Sequence, residues 1–182
     1  MPHNMAHPEQ ARFCLSVKAR FPEYFTGATV LDVGSLDING CNRPLFEDCL
    51  YTGLDLGEGK NVDVVGIGHE YDAPDGHFDT IISTECFEHD QHYPLTLKNI
   101  VRMLRVGGLF LFTCATTGRQ EHGTRRSLPG NAPLLQGEWA DYYRNLTEAD
   151  IREAILVDTV FPLHEFEVYT GTKDLYFWGI KA

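Results

Sequence analysis

The stretch from Thr29 to Gly40 constrains the fold of this chain more than any other. It begins with a short apolar run, typical of a buried strand, and continues into turn-forming residues. Gly34 is the first residue at which the backbone can turn sharply. A strand that ends in such a turn and leads into a helix forms the usual ligand-binding corner of an open α/β sheet. The turn departs from the dinucleotide pattern G-x-G-x-x-G, because Leu36 occupies the second glycine position.

Composition excludes several classes of protein. The 182 residues, 43% of them hydrophobic, indicate one domain with a sizeable core. No apolar run approaches the ~20 residues of a membrane span, and the first residues lack the features of a signal peptide. Five scattered cysteines without a C-x-x-C pair indicate reduced thiols and a cytoplasmic protein. A net charge of −11 argues against broad binding to nucleic acid and favours a small or neutral substrate.

Short apolar runs alternate with amphipathic segments along the chain. This order predicts an α/β fold with a mostly parallel sheet and helices on both faces. The last two strands, joined by a turn at 171–174, predict an antiparallel hairpin. The predicted strands are residues 30–33, 50–56, 62–65, 78–84, 109–113, 166–169 and 175–181. The predicted helices are residues 8–19, 41–48 and 93–104, and one more that begins at Thr147. The glycine pair at 107–108 would cap the helix over 93–104.

Four segments, in order, resemble the motifs of the class I S-adenosylmethionine-dependent methyltransferases, in particular methyltransferase-11-like members. They are residues 30–35, 54–56, 78–83 and 104–110. The resemblance extends over nearly the whole chain. It implies a single domain over residues 1–182 with a Rossmann-like, seven-stranded sheet and S-adenosylmethionine as cofactor. Residues 1–28 would form an N-terminal helical cap, and residues 115–146, which are rich in Gly, Pro and Arg, a substrate or lid segment.

The resemblance also implies the cofactor contacts. Asp55 follows the first turn by roughly 20 residues, where a carboxylate can accept both ribose hydroxyls. Asp32 lies inside an apolar strand, where an acid needs a partner, and would face the methionine portion. The family often has an acid that binds adenine after the third strand, and backbone groups near residues 67–68 replace it here. The expected contacts are Asp32, Gly34, Ser35, Asp55, Leu56, Ile67, Gly68 and Thr84, with Asn39 and Arg43 as further candidates at the methionine end.

The acidic residues and histidine of Glu85-Cys86-Phe87-Glu88-His89 follow the fourth strand directly. In a helical turn, Glu85, Glu88 and His89 would share one face. Three interpretations stay open: the turn is capped and packed by these side chains, His89 is a general base, or the cluster binds Mg²⁺ or another divalent metal. The metal interpretation rests on the resemblance of E-x-x-E-H to the motif of metal-dependent methyltransferases, including small-RNA 3′-end 2′-O-methyltransferases. His122 would be a further ligand of that metal.

The 115–146 segment supplies the candidates for the acceptor pocket. Arginines suit a carboxylate or phosphate, and aromatic rings suit a ring or sugar face, whereas packing of the segment is the alternative for any one of them. The candidates are Arg119, His122 and Tyr143, followed by Arg125, Arg126, Trp139, Tyr142 and Arg144.

We therefore expect O-methylation of a small-molecule or sugar-like acceptor. The alternatives are a non-catalytic methyltransferase-like module that binds a partner, an RNA 2′-O-methyltransferase, which the acidic charge disfavours, and a nucleotide-binding oxidoreductase, which the absent G-x-G-x-x-G pattern disfavours.

Overall fold

Seven strands form one sheet in the computed structural model, which describes residues 8–182. The strands are β1 Thr29–Val33, β2 Leu50–Asp55, β3 Val64–Val65, β4 Phe78–Thr84, β5 Leu104–Ala115, β6 Leu163–Tyr169 and β7 Asp174–Ile180. The α-helices are α1 Pro8–Arg20, α2 Tyr93–Met103, α3 Glu148–Ala154 and α4 Val157–Val160. The first seven residues of the expected N-terminal cap lie outside the described residues. No helix within residues 8–182 has the length and apolar character that crossing a bilayer requires.

The sheet order is β3-β2-β1-β4-β5-β7-β6. Strands β1 to β5 are parallel to one another, whereas β7 is antiparallel to both β5 and β6. This confirms the predicted mostly parallel sheet and its terminal hairpin. Because β1 lies between β2 and β4, the strand order reverses there, and the loops that follow these strands diverge and open a crevice.

Helices cover both faces of the sheet, as predicted. Helix α1 buries Val17 against the face that carries Val30, whereas α2 buries Leu97 against the opposite face, which carries Leu31. Successive strand residues point to opposite faces. The apolar run of β1 therefore contributes to both cores at once, as expected for a strand buried on both sides.

Two predicted helices differ from the structure. Helix α2 ends at Met103, and Leu104 already pairs with Phe78 in the sheet. The pairing resumes at Leu109, so the intervening residues form an irregularity of β5, and Gly107, with φ +72°, belongs to that irregularity rather than to a helix cap. The predicted helix over 41–48 is a single 3₁₀ turn, Arg43–Leu45, because this segment must return at once to the start of β2.

The helix predicted at Thr147 is confirmed as α3. Its N-terminus carries a reciprocal capping box: the Thr147 hydroxyl accepts from the amide of Asp150, whose carboxylate accepts from the amide of Thr147 at 2.8 Å. The preceding 115–146 segment contains only two short 3₁₀ turns, Pro129–Asn131 and Gly137–Asp141.

Candidate cofactor and acceptor cleft

A cleft of about 270 Å³ opens where β1, β2, β3 and β4 end. Its walls come from the loops after these strands, from α1, and from the 115–146 segment. Parallel strands end at the same edge of a sheet, so residues distant in sequence converge there. The eight residues expected to contact the cofactor all line this cleft: Asp32, Gly34, Ser35, Asp55, Leu56, Ile67, Gly68 and Thr84.

The Asp55 carboxylate is held at the end of β2 by two backbone amides. Its Oδ2 accepts from Leu36 N at 2.9 Å, and its Oδ1 accepts from Leu56 N at 2.7 Å. Burial raises the pKa of Asp55, and the two amide hydrogen bonds act in the opposite direction. Each carboxylate oxygen keeps further acceptor capacity toward the cleft. The geometry suits a pair of adjacent hydroxyl donors.

The loop after β1 follows a path that accommodates Leu36. A Cβ atom at Gly59 would lie 2.2 Å from Leu36 Cδ1, so the leucine side chain fills the space that this glycine leaves. The Asn61 side chain donates to the Ser35 carbonyl at 2.8 Å. Arg43, a candidate for the methionine end, instead donates to Asn61 Oδ1 at 2.7 Å and is not among the residues that line the cleft. Arg43 therefore supports this loop from behind.

Gly34 is required for a reason that the sequence does not reveal. Its φ is +80°, and a Cβ atom there would lie 2.6 Å from both Cβ and Sγ of Cys86. The glycine thus permits the close approach of the β1 and β4 loops, and the expected close approach of its backbone to the cofactor stays a prediction.

Asp32 is buried beside donors that the sequence analysis missed. Asn42 donates to Asp32 Oδ1 at 3.2 Å and to Thr84 Oγ1 at 3.0 Å, and the Tyr51 hydroxyl donates to Asp32 Oδ2. Burial raises the pKa of Asp32 to about 7, although the hydrogen bonds from Tyr51 and Asn42 lower it. Because Tyr51 lies opposite Val30 in the β1–β2 register, strand alternation places Tyr51 and Asp32 on one face. This signal could have identified the tyrosine.

Glu85 does not share a helical face with Glu88 and His89, contrary to the expectation. Its φ is +52°, and the helical turn is a 3₁₀ turn over Phe87–His89 that begins after it. Glu85 Oε1 accepts from Thr113 Oγ1 at 3.0 Å, and Oε2 lies 4.0 Å from Arg119 Nη2. Burial raises the pKa of Glu85 to about 7; the Asp174 carboxylate adds to this rise, and Arg119 opposes it.

Glu88, His89 and His122 form a compact group whose ligand atoms lie within 4.8 Å of one another. Glu88 is fully buried, and neither of its carboxylate oxygens has a hydrogen-bond partner of good geometry within residues 8–182. Burial raises the pKa of Glu88, and the nearby Glu85 adds to this rise. Burial also lowers the pKa of His89 to about 3, as does His122, and Nδ1 of His89 has no partner among those residues.

This group fits a divalent metal. One carboxylate and two imidazoles are suitable ligands for a transition metal, and a cation would compensate the buried Glu88 carboxylate. Glu85, the fourth residue predicted for a metal site, lies outside the group of three. The four-residue ligand set stays a prediction.

The candidates for the acceptor pocket divide into two sets. Arg119, His122 and Trp139 line the cleft. Tyr143 does not, because it lies behind the histidines, with its ring centroid 5.5 Å from that of His89 and its hydroxyl donating to the Gln120 carbonyl at 3.2 Å. The other four candidates also lie outside the lining: Arg125, Arg126, Tyr142 and Arg144.

Gln10 of α1 lines the cleft although the sequence analysis did not select it. Its side chain is only 3% exposed, and its Oε1 has no hydrogen-bond partner within the described part of the chain. A polar residue among the apolar positions of the inner helix face is a weak signal that could have identified it.

Comparisons with known proteins concern the family and the fold. A family model described as a methyltransferase domain matches residues 5–153. No curated protein matches the chain. One similar solved structure is the Burkholderia thailandensis 1,6-didemethyltoxoflavin-N1-methyltransferase with bound 1,6-didemethyltoxoflavin and S-adenosylhomocysteine. Its TM-score is 0.66 at 18% identity, and the match covers 96% of this chain and 79% of that chain.

Two other similar structures are longer proteins. One is the Haemonchus contortus phosphoethanolamine N-methyltransferase 2 in complex with S-adenosyl-L-methionine, with a TM-score of 0.67 at 20% identity. The CurJ carbon methyltransferase has a TM-score of 0.60 at 16% identity. The matches cover 98% and 92% of this chain but only 54% and 52% of those chains. The neighbours include enzymes named for transfer to nitrogen and to carbon, so the shared fold does not specify the acceptor atom.

Proposed function

This chain belongs to the methyltransferase domain family, and we propose that it is an S-adenosylmethionine-dependent methyltransferase that methylates a hydroxyl of a small-molecule or sugar-like acceptor. The observation that carries cofactor binding is the Asp55 carboxylate, held by two amides at the end of β2 and facing the cleft. The family match favours this function over the oxidoreductase alternative.

The lining residues suggest how the cofactor would lie. Asp55 would accept the ribose hydroxyls, and the backbone around Ile67 and Gly68 would contact adenine. The methionine portion would extend toward Asp32 and Thr84, at the junction of β1 and β4. The sulfonium would then approach the loop after β4, which carries His89.

In the transfer itself, an acceptor oxygen attacks the methyl carbon. The new C–O bond forms as the C–S bond breaks, and the bonding pair stays on sulfur to give S-adenosylhomocysteine. Most of the rate would come from holding the two reactants in line. The acceptor hydroxyl must also lose a proton, and His89, a neutral imidazole in the cleft wall, is the candidate to receive it, as a weaker base than an exposed histidine because burial lowers its pKa to about 3.

The second mechanism for that proton loss uses the group of Glu88, His89 and His122. These three residues would hold a divalent metal, and a bound metal lowers the pKa of a coordinated hydroxyl. The burial of the Glu88 carboxylate, which has no cationic partner within residues 8–182, supports this mechanism, because a buried carboxylate without a cation is costly.

Calorimetry tests both parts of the proposal. S-adenosylhomocysteine should bind the purified protein, and absence of binding would contradict the proposed function. For the metal, Mn²⁺ should bind after treatment with EDTA, the Glu88→Gln variant should lose Mn²⁺ binding, and Glu85→Gln should keep it. If Mn²⁺ does not bind, the metal mechanism is excluded, and His89 stays the candidate base.

A substitution of His89 tests its direct role. We expect His89→Ala to lower the methylation rate, measured with radiolabelled cofactor on a panel of hydroxyl compounds, by about 10²-fold or more. Its affinity for S-adenosylhomocysteine should remain unchanged. Transfer that survives with only a minor loss would exclude both catalytic roles of His89.

A further inference from the structure

Arg119 lies among acidic side chains of the described residues. Its Nη1 donates to the buried Asp174 carboxylate at 2.8 Å and to the Thr172 carbonyl at 2.7 Å, and its Nη2 lies 4.0 Å from Glu85. One guanidinium therefore faces two carboxylates. An acceptor carboxylate or phosphate at Arg119, which the sequence suggested, would add a third anion to this arrangement.

Two buried oxygens of residues that line the cleft have no hydrogen-bond partner within residues 8–182. They are Oε2 of Glu85 and Oε1 of Gln10. Gln10 is 3% exposed, so solvent does not compensate its carbonyl. A buried acceptor without a partner destabilises the fold, because its lost hydration is not replaced. A donor with a positive charge would satisfy both oxygens and balance the charge.

The position of Glu85 assigns this donor to the acceptor rather than to the adenosine part of the cofactor. Glu85 follows β4 and contacts Thr113 of β5, and Asp174 begins β7. Asp55 ends β2 and Ile67 follows β3, and both strands lie on the other side of β1 in the sheet order. The two ends of the cleft are therefore separated by the junction of β1 and β4.

We propose that the acceptor carries a protonated amino group in addition to its reactive hydroxyl, and that Glu85 Oε2 and Gln10 Oε1 accept hydrogen bonds from this ammonium. This inference rests on the proposed methyl transfer to a hydroxyl. Glu85 supplies the opposite charge, and Gln10 supplies a second acceptor that closes the site from α1. Charge-assisted hydrogen bonds of this kind are about twice as strong as neutral ones.

Three phenols that differ only at the far end of the molecule test the proposal. They are tyramine with an ammonium, tyrosol with a hydroxyl, and 4-hydroxyphenylacetate with a carboxylate. Binding is measured by calorimetry or ligand-observed NMR on protein saturated with S-adenosylhomocysteine. We expect tyramine to bind at least about tenfold more tightly than tyrosol, and the carboxylate to bind most weakly.

Variants assign the preference to the two residues. Glu85→Gln should reduce the ratio of the tyramine affinity to the tyrosol affinity about tenfold, and Gln10→Leu should reduce this ratio less. Glu153→Gln removes the same charge from an exposed position of α3 and should leave the preference intact. Thermal unfolding shows whether each variant is folded. If Glu85→Gln is not folded, the tyramine preference of Gln10→Leu alone decides whether the proposal holds.

Several outcomes would overturn the proposal. One is that tyramine binds no better than tyrosol or not at all, and another is that both cleft variants keep the preference. A third outcome would assign the two oxygens to the ammonium of the cofactor. In that case the variants would weaken the binding of S-adenosylhomocysteine but not that of 5′-methylthioadenosine, which lacks the ammonium. The binding of the three phenols would not change. If S-adenosylhomocysteine itself fails to bind the wild-type protein, the proposed function is at fault instead.

Discussion

Replacement of Gly34 with alanine should destabilise the protein through two separable effects. The first is conformational, because φ is +80° and a left-handed backbone costs a residue with a Cβ about 1–2 kcal/mol. The second is steric, since the new Cβ would lie 2.6 Å from both Cβ and Sγ of Cys86. Overpacking of this kind costs about 1–3 kcal/mol. The amide of Gly34 donates to the Leu54 carbonyl at 2.9 Å, which holds the loop against relaxation.

The combined loss in the free energy of unfolding is therefore about 2–5 kcal/mol, a large part of the 5–15 kcal/mol typical of a domain. Gly27→Ala is a matched control, because Gly27 has φ +65° and no heavy atom lies within 4 Å of its would-be Cβ. It should show only the conformational part, about 1–2 kcal/mol. Urea denaturation of both variants measures the difference.

A double-mutant cycle isolates the steric part. Cys86→Gly removes both atoms that the new Cβ would meet, so the cost of Gly34→Ala should fall to the Gly27→Ala value in that background. The reasoning is refuted if Gly34→Ala costs no more than Gly27→Ala, or if Cys86→Gly leaves the cost unchanged.

Two further predictions concern the acids of the cleft. Asp55→Asn should weaken S-adenosylhomocysteine binding roughly 10- to 100-fold in calorimetry, because an amide makes weaker hydrogen bonds to the ribose hydroxyls than a carboxylate does. Asp72→Asn, at an exposed position, is the control, and an equal effect of this variant would contradict the prediction. Asp32 has its pKa raised from 3.8 to about 7, so the folded state favours its protonated form, and the native protein loses stability as pH rises through this range. The stability of Asp32→Asn relative to native should therefore increase by about 4 kcal/mol between pH 4 and pH 8 in urea denaturation, and a difference independent of pH would disprove the raised pKa.

The strands that position the cofactor were predictable because their signals are local. The predicted limits of β4 agree with the structure, and those of β1 differ by one residue, since each is a short apolar run bounded by turn residues. The start of β5 was predicted five residues too late, at 109 instead of 104, because its signal is not local. Residues 104–108 are compatible with a capped helix, but pairing with β4 extends the strand back to Leu104.

The positions of the candidate cofactor residues were also more predictable than those of the candidate acceptor residues. Asp55 and Gly68 lie at strand ends, and the parallel sheet brings all such ends to one edge. The acceptor residues belong to irregular segments, whose paths depend on contacts between distant parts of the chain. Tyr143 illustrates this: its aromatic character suggested a pocket residue, yet it packs behind His89.

The sequence by itself predicted where most of the strands lie along the chain, and that they form a mostly parallel sheet with a terminal hairpin, because apolar runs, turn residues and the alternation with helical segments are local signals. Only the tertiary structure decided which side chains meet in the cleft. The positive φ of Glu85 removes it from the helical face of Glu88 and brings it to Thr113 and Arg119. Such contacts join residues about 30 positions apart, and their geometry follows from how the loops pack rather than from any local pattern.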